Sequence, residues 1–492
     1  MSIAAALLAL GCAGGSAPTS QQLASDQTLS FPLIAGSDIT TLDPEQTESV
    51  VDIAFTNEMF GGLLKFDKNL KILPYAASSL PTVSPDGRTY VFHLRHDVRF
   101  WNGDRVTSKD VLYSWNRTAQ LQGSYAGAFQ PVVGYNEVAH EQAKTMNGLT
   151  APDPYTVVAH LQYPAGYWET EVAIWAANLL DQNAVDAGGG SWWSNPATAV
   201  GIGPFKLSQY TANSSLDLVP VKNWWAGSTG TLTHVHIDEG VDGASAVKKF
   251  EADGYGVIGP AGNHPPVTDI LRYEKDQTKR SLLHIFPSAG TAWLGFNFTG
   301  SSPFAPKPGI SPGDPTQGLG QDLGQPGRQA FAGGISKGQL ADITCAGATT
   351  CSPAAHGLIS KGLAGNLGSE TDPMATYDPA KAKAEYQQWD PHGAKAASTR
   401  LEYITGPTAD ETFQNVQAQL RSTLGVSIQL YPVDAKTALA DRSNHRANLF
   451  SMNWFADYNH PQDWYDNLWV CATAHNGGEN FWGLAIHRWI RS

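Results

Sequence analysis

Residues 80–117 read LPTVSPDGRTYVFHLRHDVRFWNGDRVTSKDVLYSWNR, and this stretch predicts a strand–turn–strand–turn–helix unit. Asp86-Gly87 is a turn dipeptide, because Gly tolerates positive φ and Asp can bond its own backbone. Tyr90, Phe92 and Leu94 alternate with Val91, His93 and Arg95, the two-residue period of a half-buried strand. Asn102-Gly103 turns the chain again. Thr107 is placed to cap a helix whose third residue, Asp110, sets a carboxylate against the exposed N–H groups. Val111, Leu112 and Trp115 lay an apolar stripe along that helix. Units of this kind occur in many α+β domains, so the pattern alone selects no function.

The residue identities narrow the choice. Ser84, Asp86, Gly87, Tyr90, Phe92, Leu94, Arg95, Val98, Phe100, Gly103, Val106, Thr107, Asp110, Val111, Ser114, Trp115 and Arg117 stand in an order that resembles the signature of the family-5 solute-binding proteins. These are the peptide- and oligopeptide-binding receptors of ABC importers. The family often carries His-Asp-Gly where this chain has Trp101-Asn102-Gly103; either version turns the chain. Further elements resemble the family along most of the sequence: Asp43-Pro44, Lys65-Phe66-Asp67, the Gly201-Ile202-Gly203-Pro204-Phe205 strand opening, Asn223-Trp224-Trp225, Trp293-Leu294-Gly295-Phe296-Asn297 and Tyr377-Asp378-Pro379. Gly201 and Gly203 make a poor nucleotide loop, since no third Gly and no Lys-Ser/Thr pair follows.

Composition is compatible with such a receptor. A chain of 492 residues exceeds one hydrophobic core and divides into lobes. A net charge of −13 argues against a nucleic-acid or anionic-membrane surface. With 15 Trp and 17 Tyr, aromatic surface is available to line a pocket.

The resemblance implies a two-lobed α/β fold of the periplasmic-binding-protein kind (class II type) with an additional small α+β domain. The strand–helix alternation beyond residue 196 independently implies parallel sheets in two α/β lobes. The expected division is a truncated lipoprotein signal and tether over 1–28, a first part of lobe I over 29–62, the small extra domain over 63–195, a second part of lobe I over 196–285 and lobe II over 286–469. Residues 470–492, VCATAHNGGENFWGLAIHRWIRS, depart from the family's helical return to lobe I, and we expect an aberrant or truncated return there, either a fragment's end or a truncation or frameshift after Gly483, the frameshift being favoured and leaving an apolar patch uncovered.

Residues 3–10 are small and apolar and lead into Gly11-Cys12, a pattern similar to a bacterial lipobox in which Cys12 is lipidated, although no basic residue precedes it. Residues 16–28 then read as a tether. Cys345 and Cys351 are expected to close a small disulfide loop in an oxidising compartment, with Cys471 left over. No metal or cofactor is expected: two thiols without nearby histidines suit zinc poorly, and His234 and His236 share a strand face with no third ligand.

The binding chemistry is expected at Trp454-Phe455-Ala456-Asp457-Tyr458. This resembles a family motif whose Asp meets a ligand α-ammonium and whose Trp packs on a ligand side chain. Carried over, Asp457 is the amine anchor and Trp454 a pocket wall, with Tyr458, Asn297 and Trp293 as further lining. A buried cation needs a formal negative partner. Asp463 reads as an ordinary helix-start carboxylate.

The resemblance thus implies a non-enzymatic, monomeric, lipid-anchored extracytoplasmic receptor that captures oligopeptides and delivers them to ABC permease transmembrane subunits. Its contact with the membrane would be through the anchor alone. The alternatives are an oligosaccharide or metal chelate as solute or, in a different class, a secreted glycan hydrolase, which requires two acidic residues facing each other across the cleft.

Overall fold

The computed structural model describes residues 26–259, 264–286, 288–311, 322–345, 349–353, 356–370 and 372–469. Cys12, residues 16–25 of the expected tether, Cys471 and the rest of residues 470–492 lie outside the described residues.

Residues 80–117 fold as the turn and strand chemistry predicts. Thr82–Val83 and Thr89–His93 pair antiparallel, Gly87 takes a φ of 69°, and the helix Ser108–Leu121 follows. Asp110 accepts from the Thr107 backbone N–H at 2.7 Å and from its hydroxyl at 2.9 Å, which ties the first turn of the helix to the residue that caps it. Tyr90, Phe92, Leu94 and Trp115 are all buried. The rings of Phe92 and Trp115 meet edge to face at 5.7 Å, a geometry that adds aromatic attraction to the apolar burial. Thr156–His160 and Leu149–Asp153 complete an antiparallel sheet of four strands.

Two further sheets flank this unit. In one, Thr28–Ile34 lies beside His234–Val241, followed by Ser215–Pro220 and Phe205–Thr211. In the other, Gly290–Phe296 lies beside Leu449–Phe455, then Arg400–Ile404 and Gln429–Val433. Both sheets are mixed rather than wholly parallel. In the first, parallel pairing is limited to Thr28–Ile34 with His234–Val241. The reason is local: Ser214 N–H donates to Thr211 O at 3.0 Å, and a turn that short can join antiparallel strands alone. The second sheet keeps parallel pairs where helices cross over, as between Arg400–Ile404 and Gln429–Val433, which the helix Pro407–Leu424 connects. That helix has Pro at its first turn, where no N–H partner is lost.

Each sheet carries its own core. Phe31, Phe55, Phe60, Trp192, Leu216 and Ile237 belong to the first, and Phe304, Phe331, Trp389, Leu401 and Leu420 to the second. Leu180, Val185 and Trp192 pack in the first-lobe core, although the sequence reading placed them in the extra unit. The helix Gln182–Gly188 and the turns after it fold back onto residues 42–60. Cys345 and Cys351 are joined by a disulfide, their Cα atoms 4.7 Å apart. No described helix is long and apolar enough to cross a membrane.

Arg117, the last residue of the opening stretch, fixes the extra unit to the first lobe. Its guanidinium donates to both Asp43 oxygens at 3.1 and 2.6 Å and to Glu45 at 2.5 Å. Trp192 Nε1 donates to Asp43 at 3.2 Å. Gly201 and Gly203 serve a packing role: a Cβ there would stand 2.1 Å from Met59 O and 2.3 Å from Glu58 O, so the chain passes against the end of the helix Val50–Met59 with no space for a side chain.

Arg117→Met should lower the unfolding free energy at pH 7 by about 3–5 kcal/mol, because two carboxyls stay buried without their cation; the urea midpoint measures it. Gly203→Ala should also lower that midpoint, by roughly 1–3 kcal/mol of overpacking.

Candidate ligand-binding site

The strand Leu449–Phe455 buries Phe450, Met452 and Trp454 and exposes Asn453 and Phe455, so Trp454 points inward by the two-residue period. It pairs with Gly290–Phe296 in a register that sets Trp293 opposite Met452 and Thr291 opposite Trp454. Trp293 therefore shares the inward face with Trp454. Beyond the strand, Ala456 N–H donates to Ala289 O at 2.8 Å, and Pro461 starts the helix Pro461–Trp469. Asp463, in that first turn, is fully buried and accepts from the Asp457 backbone N–H at 3.1 Å. The loop folds so that Asp457 and Asp463 stand close enough to shift each other's ionisation.

The facing wall comes from residues 125–175. Tyr125 stacks on Trp454 with ring centroids 6.3 Å apart and meets Trp175 edge to face at 4.7 Å. Glu171 accepts from Gln462 Nε2 at 2.6 Å, and the Tyr458 hydroxyl donates to Gln462 Oε1 at 2.6 Å. Tyr167 and His460 place their rings 5.7 Å apart. The core of the extra unit is consequently continuous with Phe450, Met452, Trp454, Tyr458 and Trp464 of the second lobe.

The electrostatics of this junction are one-sided. Burial pushes the Asp457 carboxyl well above the usual carboxylate range, the neighbouring Asp463 adds to the shift, and a hydrogen bond from Tyr125 opposes it. Burial likewise pushes Asp463 up to about 7, against the pull of hydrogen bonds from the Asp457 backbone and side chain. Asp457 Oδ2 and Asp463 Oδ1 are buried without a hydrogen-bond partner among the described residues. A buried carboxylate oxygen in that state costs free energy until a cation or donor reaches it. Two aromatic walls, two acidic groups and an open acceptor suit a positively charged group presented by an otherwise apolar or backbone-rich ligand. A separate open pocket of about 550 Å³, lined by His93, Arg95, His96, Asp97 and Tyr155 among others, shares no residue with this cluster. Its guanidinium and carboxylate already pair with each other.

The structure brings Asp457, Trp454 and Tyr458 together and sets Trp293 on the same face. Asn297 lies apart from this cluster. Its backbone N–H donates to Asn448 O at 3.1 Å, at the strand end remote from Asp457. Its side chain is consumed there, donating to His445 O at 2.7 Å and accepting from Thr299 at 2.8 and 2.7 Å. Sequence reasoning passed over Tyr125, Glu171 and Gln462 and took Asp463 for a plain helix start. The available signal was Glu171 itself, an acidic residue in the aromatic run YWETEVAIW.

The sequence profile of the bacterial extracellular solute-binding proteins, family 5 (middle region), matches residues 71–476, and the chain belongs to that family. The periplasmic oligopeptide-binding protein OppA of Haemophilus influenzae is 28% identical over 195 residues, 39% of this chain and 36% of that protein. OppA of Escherichia coli K12 is 26% identical over 306 residues, 60% of this chain and 54% of that protein. The matches thus span about a third to a half of the length of these two relatives. The dipeptide-binding protein DppE of Bacillus subtilis 168 is 23% identical over 434 residues, 86% of this chain and 73% of that protein. Among solved structures, the Escherichia coli murein tripeptide binding protein MppA superposes with a TM-score of 0.78 at 21% identity, covering 94% of this chain and 85% of that one. Listeria monocytogenes OppA bound to peptide gives 0.75 at 21% identity, covering 93% and 86%. The shared fold is the two-lobed periplasmic-binding-protein fold. Proteins of this family are solute-binding receptors rather than enzymes.

The raised carboxyls make a stability prediction. An acid that titrates higher folded than unfolded contributes stability that is full below about pH 4 and is lost as the pH rises through its folded value. For Asp463 that value is about 7. Asp463→Asn should therefore stabilise the ligand-free protein at pH 8, by on the order of 2 kcal/mol, and leave it nearly unchanged at pH 4. Urea titrations at the two pH values read the difference.

Proposed function

We propose that this chain is the extracytoplasmic substrate-binding receptor of an ABC importer, capturing oligopeptides between its lobes and delivering them to the transmembrane permease subunits. The observation that carries the reading is half-buried Asp457, whose carboxyl oxygen Oδ2 is buried and unpartnered among the described residues, beside the stacked rings of Trp454 and Tyr125. A peptide α-ammonium supplies the missing charge there, and Trp454 forms the wall beside the first side chain. Backbone hydrogen bonds along an extended ligand would read length more than sequence. The peptide ligands in the names of OppA, DppE and MppA support the same solute class over an oligosaccharide or a metal chelate.

In this reading lobe I spans 29–62 and 196–285, the extra domain 63–195 and lobe II 286–469, the last stretch of the extra domain packing on lobe I. The protein acts as a monomer, tethered to the outer face of the cell membrane through lipidated Cys12. Ligand shifts the balance toward the closed arrangement, in which residues of the extra unit and of the second lobe touch across Asp457.

Thermal unfolding with a tetrapeptide pool, free or N-acetylated, tests the assignment. Free peptides at about 100 times Kd should add roughly 2.7 kcal/mol and raise the midpoint by a few degrees, while acetylated peptides should not. Asp457→Asn should abolish the shift. A cooperative transition that neither pool moves would exclude peptides.

A further inference from the structure

An amine anchor needs one carboxylate, and this site holds two. Asp463 is fully buried, accepts from the Asp457 backbone N–H at 3.1 Å, and carries a buried oxygen of its own, Oδ1, with no partner among the described residues. None of the groups that set the ionisation of Asp457 is a cation. Tyr125 of the extra unit bonds the Asp457 carboxyl, Tyr458 and His460 stand on the pair's own loop, and Glu171 of the extra unit reaches that loop through Gln462. Glu171 is bound to Gln462, and burial holds His460 below its ordinary value, so neither brings positive charge. Charge balance at the Asp457–Asp463 pair then has two solutions: one ligand cation with one proton retained between the carboxyls, or two ligand cations with none.

We propose that Asp463 makes the site selective for peptides whose first residue carries a basic side chain, the α-ammonium seated on Asp457 and the side-chain cation on Asp463. This rests on the peptide reading above. A dication lets both carboxyls ionise, and it gives each unpartnered oxygen a donor. The faces of Trp454 and Tyr125, stacked beside the pair, add attraction for an alkylammonium or guanidinium. A neutral first residue leaves Asp463 as the protonated acid, which donates to the Asp457 carboxylate and makes no bond to the ligand.

Calorimetric titration of the purified protein at pH 8 with Lys-Ala-Ala and with norleucine-Ala-Ala, which keeps the methylenes and drops the charge, tests this. The lysine peptide should bind about tenfold tighter or more, the equivalent of one pKa unit of differential interaction. Asp463→Asn should erase the difference between the two peptides. On the unaltered protein the lysine advantage should also shrink at pH 5, where the carboxyls take up protons; this keeps the proposal testable if the variant folds poorly. Equal binding of the two peptides at pH 8, or an advantage that survives both Asp463→Asn and pH 5, would overturn the role of Asp463 and leave the peptide reading intact. Binding of neither peptide would overturn both.

Discussion

The grip of Arg117 on Asp43 and Glu45 holds the first lobe and the extra unit as one body. One guanidinium faces two carboxyls that are almost entirely buried, so the charges do not cancel. Burial accordingly raises Glu45 well above the usual range, with Arg117 pulling the other way. A buried pair of this kind adds little net stability over apolar packing, but removing one partner is costly. Its value is placement: a bidentate contact sets angle as well as distance. Trp192 completes the clamp from a third segment. Tyr125, Trp175 and Glu171 are carried on the body positioned in this way, and Trp175 Nε1 is itself fixed to Thr47 O at 3.2 Å.

Opposite that body, the second lobe presents Trp454 and Asp457 at the end of a central strand. The two halves meet through aromatic stacking and through the Tyr458–Gln462–Glu171 chain, which uses neutral and singly charged partners in good geometry. The Asp457–Asp463 pair is the exception, holding unpaired acidic groups where the surroundings are driest. Local strain of this sort at a cleft is consistent with a site built to be completed from outside.

Much of this was legible in the sequence, and the reasons are local. The alternation of Tyr90, Phe92 and Leu94 and the Thr107–Asp110 pair need no tertiary information, and the turn at Asp86-Gly87 follows from backbone chemistry. The sequence around Asp457 pointed to that residue and to Trp454, because a short motif carries them both. What escaped reading depends on distant segments. Tyr125 and Glu171 reach the site from the extra unit, and no periodicity marks them. Asn297 looked like a lining residue because it follows an aromatic strand, yet its amide is spent on His445 and Thr299. The mixed character of the first sheet was hidden because a short hairpin and a crossover leave similar strand patterns.

The first lobe is assembled from ends far apart in the chain. The strand Thr28–Ile34 has its partner in His234–Val241, and about two hundred residues intervene, including the whole antiparallel unit. Contacts of such long range are slow to form, since loop closure precedes any gain from pairing. A chain emerging from its N-terminus can complete the antiparallel unit while Phe31 and Leu33 still lack the strand that shelters them. The order of assembly is therefore inside out: the inserted domain closes first, and the lobe that contains it in sequence finishes late, leaving its opening strand exposed longest and most in need of protection from other chains.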